Sequence, residues 1–377
     1  MDFNPTDDQR MLADTLRRFV AERYPLEARM RLSSAAPGYS IEAWRQLAEL
    51  GALGALFDPE LGGYGGGPDD IAAVFEALGS GAVAGPFLAS LLSGSCLASV
   101  GGEQAEALLQ AIIGGDAVIA FAHQEPGSRY ELGRVETTAA AGAGGWRLSG
   151  AKAVVSYGDA ADQFIVSART SGAPDDELGV SLFLVPAGAP GLSIRGYVGV
   201  DGARSAEVLL DQVEVGADRL LGVAGGAFEV IEKATGAGVV ALCADGVGAL
   251  DVVKDMTAEY LRTRKQFGQP IGSFQALQHR MATVLIEIEQ ARSALTNAVA
   301  AFGGPRVSRE RALSAAKYTL GRVAALVAEE AVQLHGGIGM TWELPLSHYV
   351  KRLIMLDHLL GDVDHHLERY IALGRAA

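Results

Sequence analysis

The sequence predicts an α+β protein: an N-terminal helical domain, a small central β domain and a C-terminal antiparallel four-helix bundle. Two observations carry this prediction. Apolar residues recur at helical spacing in the first and last thirds of the chain and at strand spacing between them. Glycine and proline clusters separate the segments. We place the domains at residues 1–116, 117–223 and 224–377, with the central domain resembling a β-barrel.

The N-terminal third is predicted to be helical. Residues 6–24 carry apolar side chains on one face, and Thr6-Asp7-Asp8-Gln9 is typical of a capping box. Helical patterns also cover residues 40–50 and 69–97, and the glycine-rich run at 62–67 must be loop. No strand precedes that run and no Lys-Ser/Thr pair follows it, so we do not predict a phosphate-binding loop.

Short segments in the centre of the chain are rich in Val, Ile, Phe and Thr, and turn residues separate them. These are the properties of strands in a compact domain. The predicted strands cover residues 117–124, 134–138, 145–149, 153–157, 163–168, 180–185 and 206–215.

The last third returns to helical periodicity. Pro270, Gly303-Gly304-Pro305 and Gly336-Gly337 mark the breaks between helices, because glycine and proline rarely continue a helix. The four predicted helices cover residues 226–262, 273–302, 308–335 and 346–373.

Composition excludes several classes of function. The net charge of −14 disfavours binding to nucleic acid or to an anionic membrane surface. The two cysteines lie in helical runs, so we predict neither disulfides nor a thiolate metal site. His365 and His366 are adjacent on a predicted helix and diverge by about 100°, so no metal site is predicted there either. The polar N-terminus and the lack of an apolar run of about 18 residues favour a cytoplasmic protein.

Two stretches at predicted helix ends stand out physically. Arg264-Lys265-Gln266-Phe267-Gly268 places cations and an aromatic ring beside a glycine turn. Its simpler interpretation is compensation of the helix dipole followed by a glycine stop. Gln333-Leu334-His335-Gly336-Gly337 is a second helix end, where glycine would allow a ligand to approach the backbone.

With Phe274-Gln275, these stretches closely resemble the two C-terminal signatures of acyl-CoA dehydrogenases. The resemblance covers essentially the whole chain in the correct order. It also includes the Thr6-x-x-Gln9 opening, the Pro59-Glu60-x-Gly62-Gly63 loop, the Glu125-Pro126-Gly127 turn and the Gly150-x-Lys152 strand.

The resemblance implies FAD as cofactor and α,β-dehydrogenation of an acyl-CoA thioester, in which a carboxylate removes the α-proton and the flavin accepts a hydride. It implies a dimer of dimers in which the signatures reach the FAD of a neighbouring subunit, and an electron-transfer flavoprotein as the usual acceptor. The implied cofactor-binding residues are Arg264, Gln266, Phe267, Gln275, Gln333, Gly336, Gly337 and Ser156.

The chain departs from the family at the catalytic base. The usual glutamate position, 24 residues after Gly336, is Leu360, and the position that a minority of the family uses, 26 residues before Arg264, is Gly238. Asp362 lies nearby, but in a continuous helix it would point to the opposite face from position 360. The sequence therefore leaves the base unassigned.

The strands expected to face the flavin differ as well. Phe121-Ala122-His123-Gln124-Glu125-Pro126 replaces an aromatic-x-x-Thr-Glu-Pro stretch. Val154-Val155-Ser156 replaces Trp-Ile-Thr or Trp-Ile-Ser, so a large stacking surface is lost while Ser156 keeps a hydroxyl.

We therefore interpret the chain as the complementary subunit of a heteromer whose homologous partner supplies the glutamate. This pattern is similar to the small subunit of pimeloyl-CoA dehydrogenases and to paired dehydrogenases of steroid side-chain degradation, which act on dicarboxylic, branched or sterol-derived acyl-CoAs. One alternative is a self-sufficient homotetramer with a displaced base such as Glu76, Glu125 or Asp245. Another is a flavin-free structural or CoA-binding member of the family.

Overall fold

The computed structural model describes residues 5–33, 35–142 and 144–375. Its contacts divide the chain into two compact units. One contains the chain up to Ala28, Pro68–Val83 and the chain from Val239 onward, and the other contains Arg29–Gly67 and Ala84–Gly238. The predicted order of helices, strands and helices is confirmed. The domain boundaries at 1–116, 117–223 and 224–377 stay a prediction.

The described residues form eleven α-helices, and local sequence explains where several of them begin and end. The predicted capping box is present at the first helix, where the Gln9 amide donates to Thr6 Oγ1 at 3.2 Å and the Thr6 amide to Gln9 Oε1 at 2.9 Å. The helices are α1 (Asp7–Arg23), α2 (Leu26–Ser33), α3 (Ile41–Glu49), α4 (Pro68–Ser80), α5 (Phe87–Val100), α6 (Glu103–Ile113), α7 (Phe228–Thr263), α8 (Gln275–Ala301), α9 (Arg306–His335), α10 (Leu346–Asp357) and α11 (Val363–Arg375).

Two predicted helices are each divided in the structure. The helix predicted at 69–97 is α4 followed by α5, and Ala82 between them has a φ of 44°. The helix predicted at 346–373 is α10 followed by α11, and Leu360 and Gly361 between them have φ angles of 56° and 112°. Left-handed backbone cannot continue a right-handed helix, so these residues end the helices before them.

The strands form one eight-stranded sheet and a separate two-stranded hairpin. The sheet follows the order β6-β7-β3-β2-β4-β5-β8, with β1 paired to β4, and β9 pairs with β10 in the hairpin. The strands are β1 (Ile119–Ala122), β2 (Thr138–Gly142), β3 (Gly145–Ser156), β4 (Gln163–Arg169), β5 (Val180–Pro186), β6 (Leu192–Val198), β7 (Arg204–Gly216), β8 (Leu220–Leu221), β9 (Lys265–Gln266) and β10 (Gln269–Pro270).

The observed strands differ from the predicted ones in several places. The strands predicted at 145–149 and 153–157 are the single strand β3, which passes through a bulge between Lys152 and Val155. The strand predicted at 134–138 begins only at Thr138, because the Val135 amide bonds the carbonyl of Pro174 outside the sheet. Strand β6 was not predicted, since it lies at an edge and most of its side chains are exposed, which weakens alternation.

Helix α7 is long and apolar enough to cross a membrane by length and composition alone, a property that the sequence analysis did not identify. However, 89% of its most apolar window is buried inside the protein. The core helix of a bundle passes the same test, so the finding gives only weak support to a membrane span.

Candidate functional site

The first signature lies at the C-terminal end of α7. Arg264 follows the last helical residue, and its amide bonds the carbonyl of Tyr260 at 2.9 Å. The chain then turns back in the hairpin of β9 and β10, which is closed by the Ile271 amide bonding the Arg264 carbonyl at 2.8 Å. The side chains of Arg264 and Gln266 are exposed. A guanidinium held here is suited to a diphosphate, because its planar donors match phosphate oxygens.

Phe267 occupies the tip of this hairpin. Phe267 and Gly268 both have positive φ angles, 51° and 81°, as in the two-residue turns that match the twist of a hairpin. Asparagine or glycine normally occupies the first of these positions, and a bulky residue there is strained. The ring is 92% exposed, and its centroid lies 6.2 Å from that of Phe274, edge to face. Strain and exposure together are typical of a side chain kept for binding.

Gln275 is the first residue of α8 and follows Phe274 directly, so it belongs to the same cluster as the hairpin. Its side chain is exposed. The structure therefore places four of the predicted residues together: Arg264, Gln266, Phe267 and Gln275.

The second signature lies at the C-terminal end of α9. Gln333 is exposed in the last turn, and Gly336, with a φ of 66°, ends the helix by donating its amide to the carbonyls of Gln333 and Val332. A Cβ added at Gly336 or Gly337 would meet no atom within 4 Å. The left-handed φ of Gly336 already favours glycine at the helix end, and the open space at both glycines leaves the backbone accessible to an external ligand.

Ser156 lies in the other compact unit, as the last residue of β3 opposite Ser205 of β7. Its side chain is half-buried. Val154, at the position where the resemblance implies tryptophan, has a φ of 53° and is 38% exposed. A β-branched residue in left-handed backbone is an outlier, so the bulge of β3 imposes a strained conformation here.

A buried polar cluster lies beneath this part of β3. The sequence analysis named Glu125 and Lys152 as parts of the resemblance but did not predict that they are in contact. The Lys152 ammonium donates to Glu125 Oε1 at 2.7 Å, to Ser167 Oγ at 3.0 Å and to the His123 carbonyl at 3.2 Å. His123 Nδ1 lies 2.9 Å from the same Ser167 hydroxyl. The glutamate also accepts the amides of residues 136 and 137. The cluster links strands β3 and β4 to the turn after β1 and to the segment before β2 through satisfied charges.

Burial and charge shift the ionisation of this cluster. Burial lowers the pKa of Lys152 to about 8 against the attraction of Glu125. Burial, with the nearby Lys152 cation, lowers the pKa of His123 to about 3. Burial raises the pKa of Glu125, but Lys152 and the donated hydrogen bonds outweigh it and the net shift is downward. At neutral pH His123 is uncharged and Glu125 is ionised.

The position at which the resemblance implies the catalytic glutamate lies in the turn between α10 and α11. Leu360 is half-buried there, and its carbonyl accepts His366 Nε2 at 3.0 Å. The fully buried Lys317 donates to the carbonyls of Asp357 and Gly361 at 2.9 and 2.6 Å. Burial lowers the pKa of Lys317. The turn is thus fixed from within the bundle, yet it presents an aliphatic side chain.

Asp362 is not in a helix with Leu360, so the rotation argument made from the sequence was wrong for this segment. Instead, Asp362 Oδ1 accepts the His365 amide at 2.9 Å and caps the start of α11. Its carboxylate is committed to the helix, which is a different reason for it not to act as the base.

The alternative carboxylates are all held in ion pairs. Asp245 is paired with Arg352 at 2.6 Å, and Glu125 with Lys152 at 2.7 Å. Glu76 Oε1 lies 3.1 Å from Arg17, and its other oxygen lies 3.6 Å from Arg292. The oxygens of these carboxylates are thus already oriented towards cations of the same chain, which disfavours a role against a bound substrate. The other position at which the resemblance implies a base in a minority of the family is Gly238, which is buried within α7.

Two further features escaped the sequence analysis. Lys317 lies on the apolar stripe of α9 between Leu313 and Leu320, and that spacing could have identified it as a buried cation. The rings of Tyr260 and His335 stack with centroids 4.4 Å apart, a contact between two helix ends that no local pattern specifies.

Comparison with known proteins assigns the family. The chain matches the models of three domain families. These are the N-terminal, middle and C-terminal domains of acyl-CoA dehydrogenases, which match residues 6–116, 120–213 and 225–369. The acyl-CoA dehydrogenase FadE12 of Mycobacterium tuberculosis is 30% identical over 314 residues, which are 81% of this chain and 80% of that protein. The chain therefore belongs to the acyl-CoA dehydrogenase family of oxidoreductases.

Two solved structures are similar over nearly their full lengths. The ChsE4-ChsE5 complex from Mycobacterium tuberculosis gives a TM-score of 0.89 at 29% identity and covers 100% of this chain and 99% of that chain. The FAD complex of PigA gives a TM-score of 0.91 at 26% identity and covers 100% of both chains. The acyl-CoA dehydrogenase fold predicted from the sequence is confirmed.

Proposed function

We propose that this chain takes part in FAD-dependent α,β-dehydrogenation of an acyl-CoA thioester as the complementary subunit of a heteromer. The observation that carries the proposal is the contrast between two regions. Leu360 and Gly238 occupy the base positions, and the alternative carboxylates are held in ion pairs. The cofactor-lending signatures, in contrast, are present and exposed. Removal of an α-proton needs a positioned base, so a partner supplies it.

The residues of the two signatures fit a flavin dinucleotide. Arg264 would hold the diphosphate, the Phe267 ring offers a face to the adenine end, and the glycines after α9 leave room for close backbone contact. When bound, the flavin accepts the hydride from the substrate. The remaining hydrogen-bonding side chains that this chain would lend to the neighbouring subunit's cofactor are Gln266, Gln275 and Gln333.

The partner is a homologous dehydrogenase that contributes the carboxylate and the pocket for the isoalloxazine ring. The likeness to the ChsE4-ChsE5 complex supports a heteromeric arrangement. The loss of tryptophan at Val154 argues against a complete pocket in this chain, although Ser156 retains a hydroxyl that could reach a flavin. We expect dicarboxylic, branched or sterol-derived acyl-CoAs as substrates, and an electron-transfer flavoprotein as acceptor.

Coexpression with a neighbouring homologue tests the proposal through the mass of the complex and its ratio of flavin to chains. Purified alone, the chain is expected to hold little flavin and to leave acyl-CoAs unchanged, whereas the complex holds flavin that an acyl-CoA bleaches. Stoichiometric FAD and substrate bleaching in the isolated homomer would favour the self-sufficient alternative, to be followed with amide variants of Glu76, Glu125 and Asp245. Colourless preparations in both cases would favour the flavin-free alternative.

Arg264→Ala tests whether this chain contributes a residue to the flavin site of the complex. It is expected to lower the flavin content of the complex at least tenfold, because it removes a charge-assisted contact to the diphosphate. Arg262→Ala is the control, since Arg262 is an exposed cation at the same helix end and only 3.9 Å from Glu259. Equal flavin content in the two variants would count against the assigned role of Arg264.

A further inference from the structure

Tyr260 holds the backbone at the start of the first signature, residues 264–268. It lies one helical turn before Arg264, and its carbonyl accepts the Arg264 amide at 2.9 Å. Hydrogen bonds connect the hairpin to the end of α7 and to the start of α8. The Arg264 carbonyl accepts the Ile271 amide at 2.8 Å, and Gln278 of α8 donates to the Gly272 carbonyl at 2.9 Å. A shift of Tyr260 therefore moves the backbone that carries Arg264.

His335 is placed in the same way at the second signature. It is 5% exposed, and its Nδ1 donates to the Ala331 carbonyl at 2.8 Å, which fixes the orientation of the ring. It lies between Gln333 and Gly336, and the turn after α9 folds back so that a Cβ on Gly339 would lie 3.1 Å from the Cβ of His335. The turn that carries the glycines therefore packs against the base of the His335 side chain.

The two rings meet across the bundle. Helices α7 and α9 end on the same side because α8 runs back between them, and the Tyr260 and His335 rings stack at 4.4 Å with an interplanar angle of 25°. The hydrogen bonds described above tie each signature to the helix ends beside it, whereas the stack joins the two signatures to each other. Offset stacking restrains both the separation and the tilt of two planes.

We propose that the Tyr260–His335 stack is a strut that sets the distance between the two cofactor-lending segments, so that both rings are positioning residues for flavin binding. The inference rests on the proposed function, which assigns the segments to a single FAD. The hairpin with Arg264 and Phe267 and the glycine turn after α9 contact one dinucleotide only if they are held at a fixed spacing, and an error of about 1 Å in placement is costly to binding groups that act together.

The test uses the full chain in its copurified complex, with FAD as the probe. Tyr260→Ala and His335→Ala are expected to raise the Kd for FAD about tenfold, whereas Tyr260→Phe, which keeps the ring in place, stays within about twofold of wild type. Tyr370→Ala is the control, because it removes an aromatic contact with Arg311 near the opposite end of α9. Retention of the wild-type Kd by both alanine variants overturns the role in flavin binding.

Hydrogen exchange supplies a readout that does not depend on flavin. His335→Ala should accelerate exchange about fivefold or more in the hairpin at 265–270, to which His335 donates no hydrogen bond, as well as in its own segment at 336–340. Acceleration confined to 336–340 overturns the strut. Failure of the wild-type complex to bind FAD overturns the proposed function instead, and the exchange pattern still decides whether the two segments are coupled.

Discussion

At the scale of single residues, the charges buried under β3 are held by many hydrogen bonds. Lys152 is fully buried and donates to three oxygens, and the carboxylate of Glu125 accepts from it and from two backbone amides. Such a cluster is stable only when every member is satisfied, because an unpaired buried charge cannot be hydrated. The strand register and the turn after β1 therefore depend on it.

Replacement of Lys152 measures this dependence. Lys152→Met is expected to lower the free energy of unfolding by about 3 kcal/mol, because it leaves the Glu125 carboxylate buried without its cation. Urea unfolding at neutral pH gives the value. The double variant Lys152→Met/Glu125→Gln should recover part of the loss, since it also removes the uncompensated charge. A double variant less stable than the single one would contradict this account.

His123 gives the cluster a pH dependence. Its pKa is about 3 in the folded protein, below the ordinary value of 6.5, so the unfolded chain binds a proton first as the pH falls. The stability contribution is fully present above about pH 6.5 and is lost as the pH falls toward 3, by up to about 1.4 kcal/mol per pH unit. His123→Gln should flatten the decline between pH 6.5 and 5 in urea unfolding experiments. Parallel curves for variant and wild type would show that the ring does not titrate in this way.

At the scale of elements, the hairpin of β9 and β10 holds Phe267 in strained left-handed backbone and leaves its ring exposed. Phe267→Asn places a residue that tolerates left-handed backbone at the turn, so the free energy of unfolding should rise by up to about 1 kcal/mol. The flavin content of the complex should fall at the same time, because the exposed ring is lost. Phe274→Asn is the comparison, since Phe274 has an ordinary φ of −79° and its replacement should only destabilise. A gain of stability without loss of flavin would remove Phe267 from the site.

Element boundaries show what local patterns predict well. The capping box at Thr6 and Gln9 is a property of four consecutive residues, so the start of α1 was predictable. The interruption between α10 and α11 was not, because apolar periodicity continues through the turn while Lys317 holds the carbonyls of Asp357 and Gly361 from another helix. Capping by a residue about 40 positions away leaves no signal in the local sequence.

At the scale of the whole molecule, exposed apolar side chains are candidates for contacts between subunits. Leu285 and Ile286, adjacent on α8, are 44% and 61% exposed. Apolar groups of this size on one helix favour contact with another subunit. Under the proposed function the two signatures serve a cofactor held by another chain, and this arrangement also needs a contact between subunits.

Charge on this face should weaken assembly. Ile286→Glu is expected to shift the purified protein toward smaller species, because a carboxylate cannot be buried in an apolar contact without a partner. Light scattering during size-exclusion chromatography measures the mass. Leu178→Glu is the control, since Leu178 is 77% exposed in a loop of the other compact unit. An unchanged mass for the Ile286 variant would place the subunit contacts elsewhere.

The sequence by itself determined the family, the order of helices and strands, and the absence of a carboxylate at positions 360 and 238, because these depend on residue identity and local periodicity. Tertiary structure alone decided that Glu76, Glu125 and Asp245 are paired with cations, and that Tyr260 lies against His335. The physical reason is distance along the chain. Ion pairs and ring stacks form between residues tens of positions apart, and the packing of helices and strands, which periodicity does not specify, brings them into contact.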